Sequence, residues 1–179
     1  MNQGKTRVIG IDPGTGRMGW SIVEGNRSRQ SLIACGCLET FGYGVRGTKC
    51  EVIEASGSET GRRLVELHTG IQKIIEEYEP EVAAVEDLFF FKNAKTVIGV
   101  AEARGMTVCL LARKGLKVFD YTPLQIKQTI TGYGRAEKPQ VQLMVKSILK
   151  MKDRIKPDDA ADAVAVGLTH LMFNQALRL

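Results

Sequence analysis

The sequence predicts an α/β fold in which helices flank a mixed sheet. Apolar runs and helical periods alternate in the order three strands, helix, strand, helix, strand and then further helices. Consecutive strands joined by a short turn favour an antiparallel three-strand meander, whereas strands separated by helices are typical of parallel pairing. The 179 residues suit one domain over 1–179 with a single core.

The first three strands are predicted from short apolar runs closed by turn residues. They are expected over 7–12, 19–24 and 31–39. Pro13-Gly14 ends the first run, and Gly25-Asn26 separates the second from the third.

Residues 41–61 are predicted to form a mobile loop or insertion. The stretch is rich in glycine and has no dependable period. A connection of this length inside a compact domain is usually functional or mobile.

The rest of the chain reads as helices and two further strands. A helix over 62–78 is expected from apolar residues at helical spacing, and Pro80 stops it. The later elements are strands over 82–90 and 117–121, and helices over 94–114 with Asn93 as cap, 123–130, 136–150 and 158–177.

Composition excludes several classes of protein. No apolar run reaches the roughly 18 residues of a membrane span, and no signal peptide is evident, so a cytoplasmic protein is expected. The cysteines at 35, 37, 50 and 109 form no C-x-x-C pair, which disfavours zinc. They are expected to be small buried hydrophobes without a redox role.

Positive charge is concentrated in one stretch. Residues 104–156 carry 12 basic and 3 acidic side chains, a net of +9, whereas the segments on either side are each −2. Such an excess suits a solvated face or a polyanion-binding surface. Beside an acidic metal site, it favours a nucleic acid.

Four carboxylates stand at special places in the predicted fold. Asp12 and Glu86 each end a buried strand, and Asp159 and Asp162 lie one helical turn apart after Pro157. Carboxylates clustered in this way are suitable ligands for Mg²⁺ in phosphodiester hydrolysis. Taken singly, Asp12 also suits a turn, and acids at a helix start also suit the helix dipole. Together they predict a metal-dependent nuclease.

Four motifs carry a family resemblance. They are Ile9-Gly10-Ile11-Asp12-Pro13-Gly14-Thr15 with Gly19-Trp20, Val85-Glu86-Asp87-Leu88-Phe89 leading to Lys92-Asn93, Ala136-Glu137-Lys138-Pro139-Gln140-Val141-Gln142, and Asp159-Ala160-Ala161-Asp162-Ala163. In this order, across almost the whole chain, they closely resemble the bacterial RuvC Holliday-junction resolvases. The resemblance implies an RNase H-like fold and symmetric nicking of four-way DNA junctions, in recombination and repair, by a homodimer.

The resemblance also assigns roles to particular residues. The metal-binding catalytic acids would be Asp12, Glu86, Asp159 and Asp162, with two Mg²⁺ per site, for which Mn²⁺ would be a substitute. The residue Asp158 neighbours this set, and the D-A-A-D match selects Asp159 instead.

The DNA contacts implied by the resemblance lie elsewhere. They would be Phe89 near the crossover and Lys127 and Lys138 near the cut phosphate. For Phe89 the alternative is core packing, and for the lysines it is a solvated helix surface.

The implied partners are four-way junction DNA, a second copy of the chain and a branch-migration complex. The helix after Asn93 would supply the dimer contact, where Gly99, Ala101, Ala103 and Gly105 would permit close approach.

Three alternatives to junction resolution remain at this stage. A YqgF-like nuclease of the RNase H fold would act on RNA, and would leave the basic residues 127–138 without a junction role. An actin-like nucleotide-binding protein needs a second lobe, for which 179 residues leave no room. A catalytically silent junction-binding module would not need four acids.

Overall fold

The sheet is mixed and has six strands. The computed structural model describes residues 4–41, 45–46, 57–88 and 94–173. The strand order is β4-β3-β2-β1-β5-β6. The strands are β1 Thr6–Asp12, β2 Arg17–Gly25, β3 Gln30–Thr40, β4 Val45–Arg46, β5 Val82–Glu86 and β6 Lys117–Tyr121. Strands β1 to β4 pair antiparallel, and β1, β5 and β6 pair parallel, so the predicted meander with added parallel strands is confirmed.

The described part of the chain has five helices, which cover the two faces of the sheet. They are α1 Glu59–Tyr78, α2 Ala94–Arg113, α3 Pro123–Thr131, α4 Lys138–Ile148 and α5 Asp158–Phe173. Helices α1 and α2 pack on one face, around a core that includes Ile9, Ile11 and Leu111. Helices α3, α4 and α5 pack on the other, around a core that includes Val8 and Val164. All described strands share one sheet; the single domain over 1–179 stays a prediction.

Two described elements begin within the predicted loop over 41–61. Strand β4 lies inside it and pairs with the end of β3. Helix α1 begins at Glu59 because the Ser58 hydroxyl caps it, accepting a hydrogen bond from the Gly61 N–H at 3.1 Å. Residues 42–44 and 47–56, which include Cys50, lie outside the described residues. The mobility expected of this loop therefore stays a prediction.

Two other boundaries differ from the prediction. Strand β5 ends at Glu86, not at 90. Beyond it, the Leu88 N–H donates a hydrogen bond to the Asp87 carboxylate at 2.9 Å. Helix α4 begins at Lys138, where Gln140 Oε1 of the first turn accepts a hydrogen bond from the N–H of the N-cap residue Glu137 at 2.8 Å. The predicted cap Asn93 and the last part of the helix expected to reach 177 lie outside the described residues.

Helix α5 lies directly on the sheet. Gly10 of β1 and Gly19 of β2 allow this approach: a Cβ at Gly19 would collide with the Asp159 carbonyl, and one at Gly10 with the Ala163 carbonyl. The buried Ser21 hydroxyl donates to that Ala163 carbonyl at 2.8 Å. Most of α5 is consequently buried. Within the described ranges, no helix is long and apolar enough to span a membrane.

A methyl group at Gly19 is predicted to displace the start of α5. Overpacking a close-packed site costs about 1–3 kcal/mol, and a collision with backbone belongs at the upper end of that range. We expect urea denaturation to show Gly19→Ala less stable than the wild type by at least about 2 kcal/mol. Gly61→Ala is the control, because its Cβ would meet only Ser58 Oγ at 3.4 Å. Equal stability of the two variants would contradict the close approach.

Candidate active site

Asp12 and Glu86 are brought together by parallel strand pairing. Ile11 is in register with Val85, so the next residue of each strand lies at the same edge of the sheet. Side chains alternate between faces along a strand. Since Ile11 and Val85 belong to the core under α1 and α2, both acids point to the opposite face, where α5 packs.

The first turns of α5 bring the other two predicted acids to this edge. Asp159 lies above Gly19, which is the partner of Asp12 in the β1–β2 ladder. Both Asp159 and Asp162 interact electrostatically with Asp12. All four acids predicted from the sequence are therefore near one another.

The electrostatics of the site disfavour negative charge. Burial raises the pKa of Asp12 to about 9, with further increases from the charge of Glu86 and from a side-chain hydrogen bond between the two acids. A hydrogen bond between two carboxyl groups requires a proton on one of them. Without a bound cation, the two strand-end acids thus share a proton.

Glu86 and Asp162 are also harder to ionise than usual. Burial raises the pKa of Glu86, and the charge of Asp162 adds to the effect, whereas Asp12, Lys127 and Lys138 oppose it. Burial raises the pKa of Asp162 as well, against the effect of Lys138. The lysines therefore offset only part of the cost of gathering these acids.

Lys138 is an internal counterion of the acidic cluster. Its Nζ lies 2.6 Å from Asp162 Oδ2 and 3.8 Å from Asp158 Oδ2. Burial acts to lower its pKa, but the hydrogen bond to Asp162 and the nearby carboxylates outweigh burial and raise it. Asp158 is 65% exposed and accepts from Gln142 Nε2 at 3.0 Å, so it lies at the rim of the cluster.

Two residues near Asp159 were not identified from the sequence. Arg17 Nε lies 3.5 Å from Asp159 Oδ2, and Cys37 Sγ lies 3.9 Å from the same oxygen. Glu39 holds the Arg17 guanidinium at 2.7 Å. The available signal was strand alternation, since Gly19 pairs with Cys37 and Arg17 with Glu39 on the face that carries Asp12.

The expectation that the cysteines are buried is wrong in part. Cys35 and Cys37 are only partly buried, and Cys109 is exposed on α2. Burial raises the pKa of both strand thiols, and Asp159 raises that of Cys37 further.

The donor set suits a hard divalent cation. In the described part of the chain, no three His, Cys, Asp or Glu side chains converge into a ready-made cation cage. The acids are instead paired, with Asp12 on Glu86, Asp162 on Lys138 and Asp159 on Arg17. Buried carboxylates with raised pKa values and oxygen donors alone fit Mg²⁺, which would replace the shared proton and compete with the cations.

An open cleft leads to the acids. It measures about 230 Å³ and lies between α3, α4 and α5. Its lining residues are Glu86, Pro123, Ile126, Lys127, Lys138, Val141, Asp162 and Ala165. Both lysines predicted to contact DNA thus lie beside two of the predicted catalytic acids. Phe89, the predicted crossover aromatic, lies outside the described residues.

The predicted dimer residues on α2 do not share one face. Ala103 is buried in the chain's own core, and a Cβ at Gly99 would lie 3.1 Å from Thr15 Oγ1. The assignment of Ala103 to an interface is therefore wrong, whereas that of Gly99, which is only partly buried, stays a prediction. Ala101 and Gly105 are exposed, and they share the outer side of α2 with the exposed Ile98 and Cys109.

Comparison with known proteins identifies the family. The family model described as "Crossover junction endodeoxyribonuclease RuvC" matches residues 8–170. The chain belongs to the RuvC family. A RuvC from Caldanaerobacter subterraneus subsp. tengcongensis is 43% identical, covering 96% of this chain and 95% of the relative. Another from Roseiflexus sp. is 45% identical, over 92% of this chain and 90% of the relative.

Solved structures agree with the RuvC assignment. The T. thermophilus RuvC in complex with a Holliday junction substrate has a TM-score of 0.81 and 28% identity, over 96% of each chain. The yeast mitochondrial Holliday junction resolvase Ydc2, at 13% identity, has a TM-score of 0.65, covers 97% of this chain and 82% of that one, and supports the fold alone. The predicted RNase H-like fold and crossover junction endodeoxyribonuclease function are confirmed, and the YqgF-like alternative is not favoured.

The raised pKa of Asp12 predicts that removing its charge stabilises the metal-free protein. Between its ordinary value of 3.8 and about 9, the folded state binds more protons than the unfolded state, so stability falls as pH rises through this window. Asp12→Asn removes the titration, and its amide still donates to Glu86. We expect its Tm at pH 8 in chelator to exceed that of the wild type by at least about 2–4 °C, the effect of about 1 kcal/mol in a protein of this size.

The same comparison has two controls. The gain should shrink at pH 5, where the wild type keeps the shared proton. Saturating Mg²⁺ should stabilise the wild type more than Asp12→Asn, because a ligand bound only by the folded state raises stability. A variant less stable than the wild type in chelator at pH 8 would contradict the electrostatic account.

Proposed function

We propose that the chain resolves four-way DNA junctions by metal-dependent hydrolysis at the Asp12–Glu86–Asp159–Asp162 cluster. The observation that carries this proposal is the meeting of two strand-end acids and two helix-start acids beside a cleft lined by Lys127 and Lys138. The RuvC relatives and the junction-bound T. thermophilus structure support the choice of substrate. RuvC-type nucleases are metal-dependent, and here we assign Mg²⁺, with two ions per site.

The chain's own groups divide the work of hydrolysis. The four acids would hold Mg²⁺, whose presence supplies an activated water and neutralises charge on the phosphate. Lys138 and Lys127 supply cations at the mouth of the cleft, where a DNA phosphate would be drawn towards Glu86 and Asp162. The apolar wall formed by Ile126 and Val141 limits water on that side.

Arg17 keeps Asp159 in place at the other side of the cluster. Its guanidinium bridges Glu39 and Asp159 from β2, which is fixed in the sheet. This contact neutralises part of the charge of Asp159 when the cation is absent. Arg17 is therefore a positioning residue in the proposal, whereas the four acids are the catalytic ones.

Loss of a cluster acid is predicted to abolish cutting while sparing DNA binding. Asp12→Asn, Glu86→Gln and Asp162→Asn each remove an oxygen ligand needed in the transition state, whereas affinity comes mainly from phosphate neutralisation. We expect cleavage of a labelled four-way junction in Mg²⁺ to fall by about a hundredfold or more, with Kd in chelator little changed. Linear duplex and RNA–DNA hybrid serve as competing substrates.

The rim acid Asp158 is the matched control for this set. Because it points to Gln142 and is 65% exposed, Asp158→Asn should cut at nearly the wild-type rate. Normal cleavage by the cluster variants would refute the site assignment. Wild-type cutting of the RNA hybrid in preference to the junction would refute the choice of substrate.

The proposed active form is a homodimer. A four-way junction has approximate two-fold symmetry, and paired nicks on opposed strands need two identical sites. The four acids supply one site per chain. We assign the contact to the outer side of α2, where Ile98 is 62% exposed and nothing lies within 4 Å of a Cβ at Gly105.

A bulky charge on this side of α2 is predicted to separate the dimer. Gly105→Arg should sediment as a monomer at micromolar concentration, keep its fold, and lose paired incision while retaining slow single nicks. Val65→Arg, on the exposed side of α1, is the control and should sediment as the wild type does. A wild type that is monomeric and still makes paired cuts at nanomolar concentration would point to assembly on DNA.

The proposal includes a cellular setting. Junction resolution as the activity places the chain in recombination and repair. The resemblance to the family adds a branch-migration complex as partner, and we assign the chain to the cytoplasm. Most basic side chains of residues 104–156 can contact DNA, because few of them pair with the chain's own acids among the described ion pairs.

A further inference from the structure

Tyr133 is displayed to solvent on the turn between α3 and α4. Its residue exposure is 59%, and that of Leu124, at the start of α3, is also 59%. A Cβ on Gly134, the residue after Tyr133, would lie 3.2 Å from Leu124 Cγ, so the turn that carries Tyr133 packs against the start of α3. We refer to Leu124 and Tyr133 as the apolar patch.

The patch borders the cleft of the candidate active site. Pro123 and Lys127, which flank Leu124 on α3, both line that cleft. Lys138, five residues after Tyr133, lines it as well and contacts Asp162. Leu124 of the apolar patch therefore lies next to residues of α3 that line a surface which we assign to the DNA backbone.

The turn that carries Tyr133 is held rigidly although its side chain is free to meet a partner. Gln128 Oε1 accepts from the Gly134 N–H at 2.9 Å, and Thr131 Oγ1 accepts from the Tyr133 N–H at 3.1 Å. The Tyr133 carbonyl accepts from the Ala136 N–H at 3.0 Å. A backbone fixed in this way lowers the entropy cost of using the ring in binding.

The charge around the patch indicates what would cover it. Residues 123–148, from the start of α3 to the end of α4, carry the basic residues Lys127, Arg135, Lys138 and Lys146 against one acid, Glu137; this net charge of +3 suits a polyanion. Phosphates neutralise lysines, and bases stack on exposed aromatic rings; nucleic acids therefore satisfy both parts of such a surface. A base fits one exposed ring, whereas a protein partner would need a larger apolar area.

We propose that Tyr133 stacks on an unstacked DNA base beside the scissile phosphate and thereby helps to select the sequence that is cut. Leu124 supports the base from the side of α3. This role rests on the proposed function, because it takes the cleft as the place of cleavage. It adds a residue that reads the base, whereas Lys127 and Lys138 meet only phosphate.

The first test is a sequence profile of cleavage. A library of four-way junctions with randomised nucleotides on both sides of the cut is cleaved under single-turnover conditions at protein concentrations below Kd, where the rate reports binding as well as cleavage. Tyr133→Ala should lower the rate at the preferred sequence by about 5- to 150-fold, the effect of losing one stacked base, and should flatten the profile. Tyr133→Phe should keep the profile, since the ring is retained.

Two matched variants separate stacking from other effects. Val65→Ala shortens an exposed apolar side chain on the opposite face of the sheet and should leave the profile unchanged. Lys127→Ala should weaken binding and reduce the magnitude of its salt slope by about one unit, whereas Tyr133→Ala should leave that slope unchanged.

The second test detects stacking without chemistry. A 2-aminopurine replaces each nucleotide next to the cut in turn, and fluorescence is recorded on binding in chelator. At one position the wild type and Tyr133→Phe should quench the probe relative to Tyr133→Ala.

The outcomes are distinguishable from failure of the proposed function. An unchanged profile and equal fluorescence for Tyr133→Ala would overturn the stacking role. Equal losses in Tyr133→Phe and Tyr133→Ala would also overturn it, in favour of a hydroxyl contact. A wild type that cannot cut any junction would refute the proposed function, and the fluorescence would still decide whether Tyr133 meets a base.

Discussion

The rest of the structure depends on the close contact between α5 and the sheet. Without side chains at Gly10 and Gly19, the helix backbone reaches the strand backbones, and Ser21 fixes its height by bonding the Ala163 carbonyl. Because β1 and β5 end at the same edge, this contact sets Asp159 and Asp162 above Asp12 and Glu86. The position of the acids is thus decided by main-chain packing, which is far stiffer than the rotamers of surface side chains.

This geometry is electrostatically unfavourable, and the chain offsets the cost in two ways. Asp12 and Glu86 share a proton, and Lys138 and Arg17 stand against the helix acids. Both compensations are reversible, because a bound cation can displace the proton between the two acids and can compete with the Lys138 and Arg17 side chains. The fold therefore holds the cluster ready for a divalent cation while remaining stable without one. The raised pKa values of the acids express the same balance.

Sequence reasoning succeeded where a local pattern determines position. The carboxyl ends of parallel strands meet at one edge of a sheet, so two apolar runs that each end in an acid predict that Asp12 and Glu86 are neighbours. The structure places them side by side at that edge. The sequence does not predict a contact that depends on the register between two strands or on which face of a helix turns to the core. The β2–β3 pairing contains an irregularity at Ile22 and Val23, so the approach of Cys37 to Asp159 could not be derived from alternation alone. On α2, small residues identified close packing but not its direction, and Ala103 faces the chain's own core.

The cleft has two walls of different origin, and on the proposed assignment one serves cleavage and the other recognition. One wall consists of the sheet edge and α5, where packing fixes the acids. The other consists of α3 and α4, which hold Lys127 and Lys138 and contact the first wall mainly through apolar side chains and the Lys138–Asp162 pair. Substitutions on the second wall can alter which DNA is held without moving the acids. On the proposed assignment, such a nuclease can vary its preference for sequence while its chemistry stays constant, because the described polar contacts between the two walls are few: Lys138 with Asp162 and Asp158, and Gln142 with Asp158.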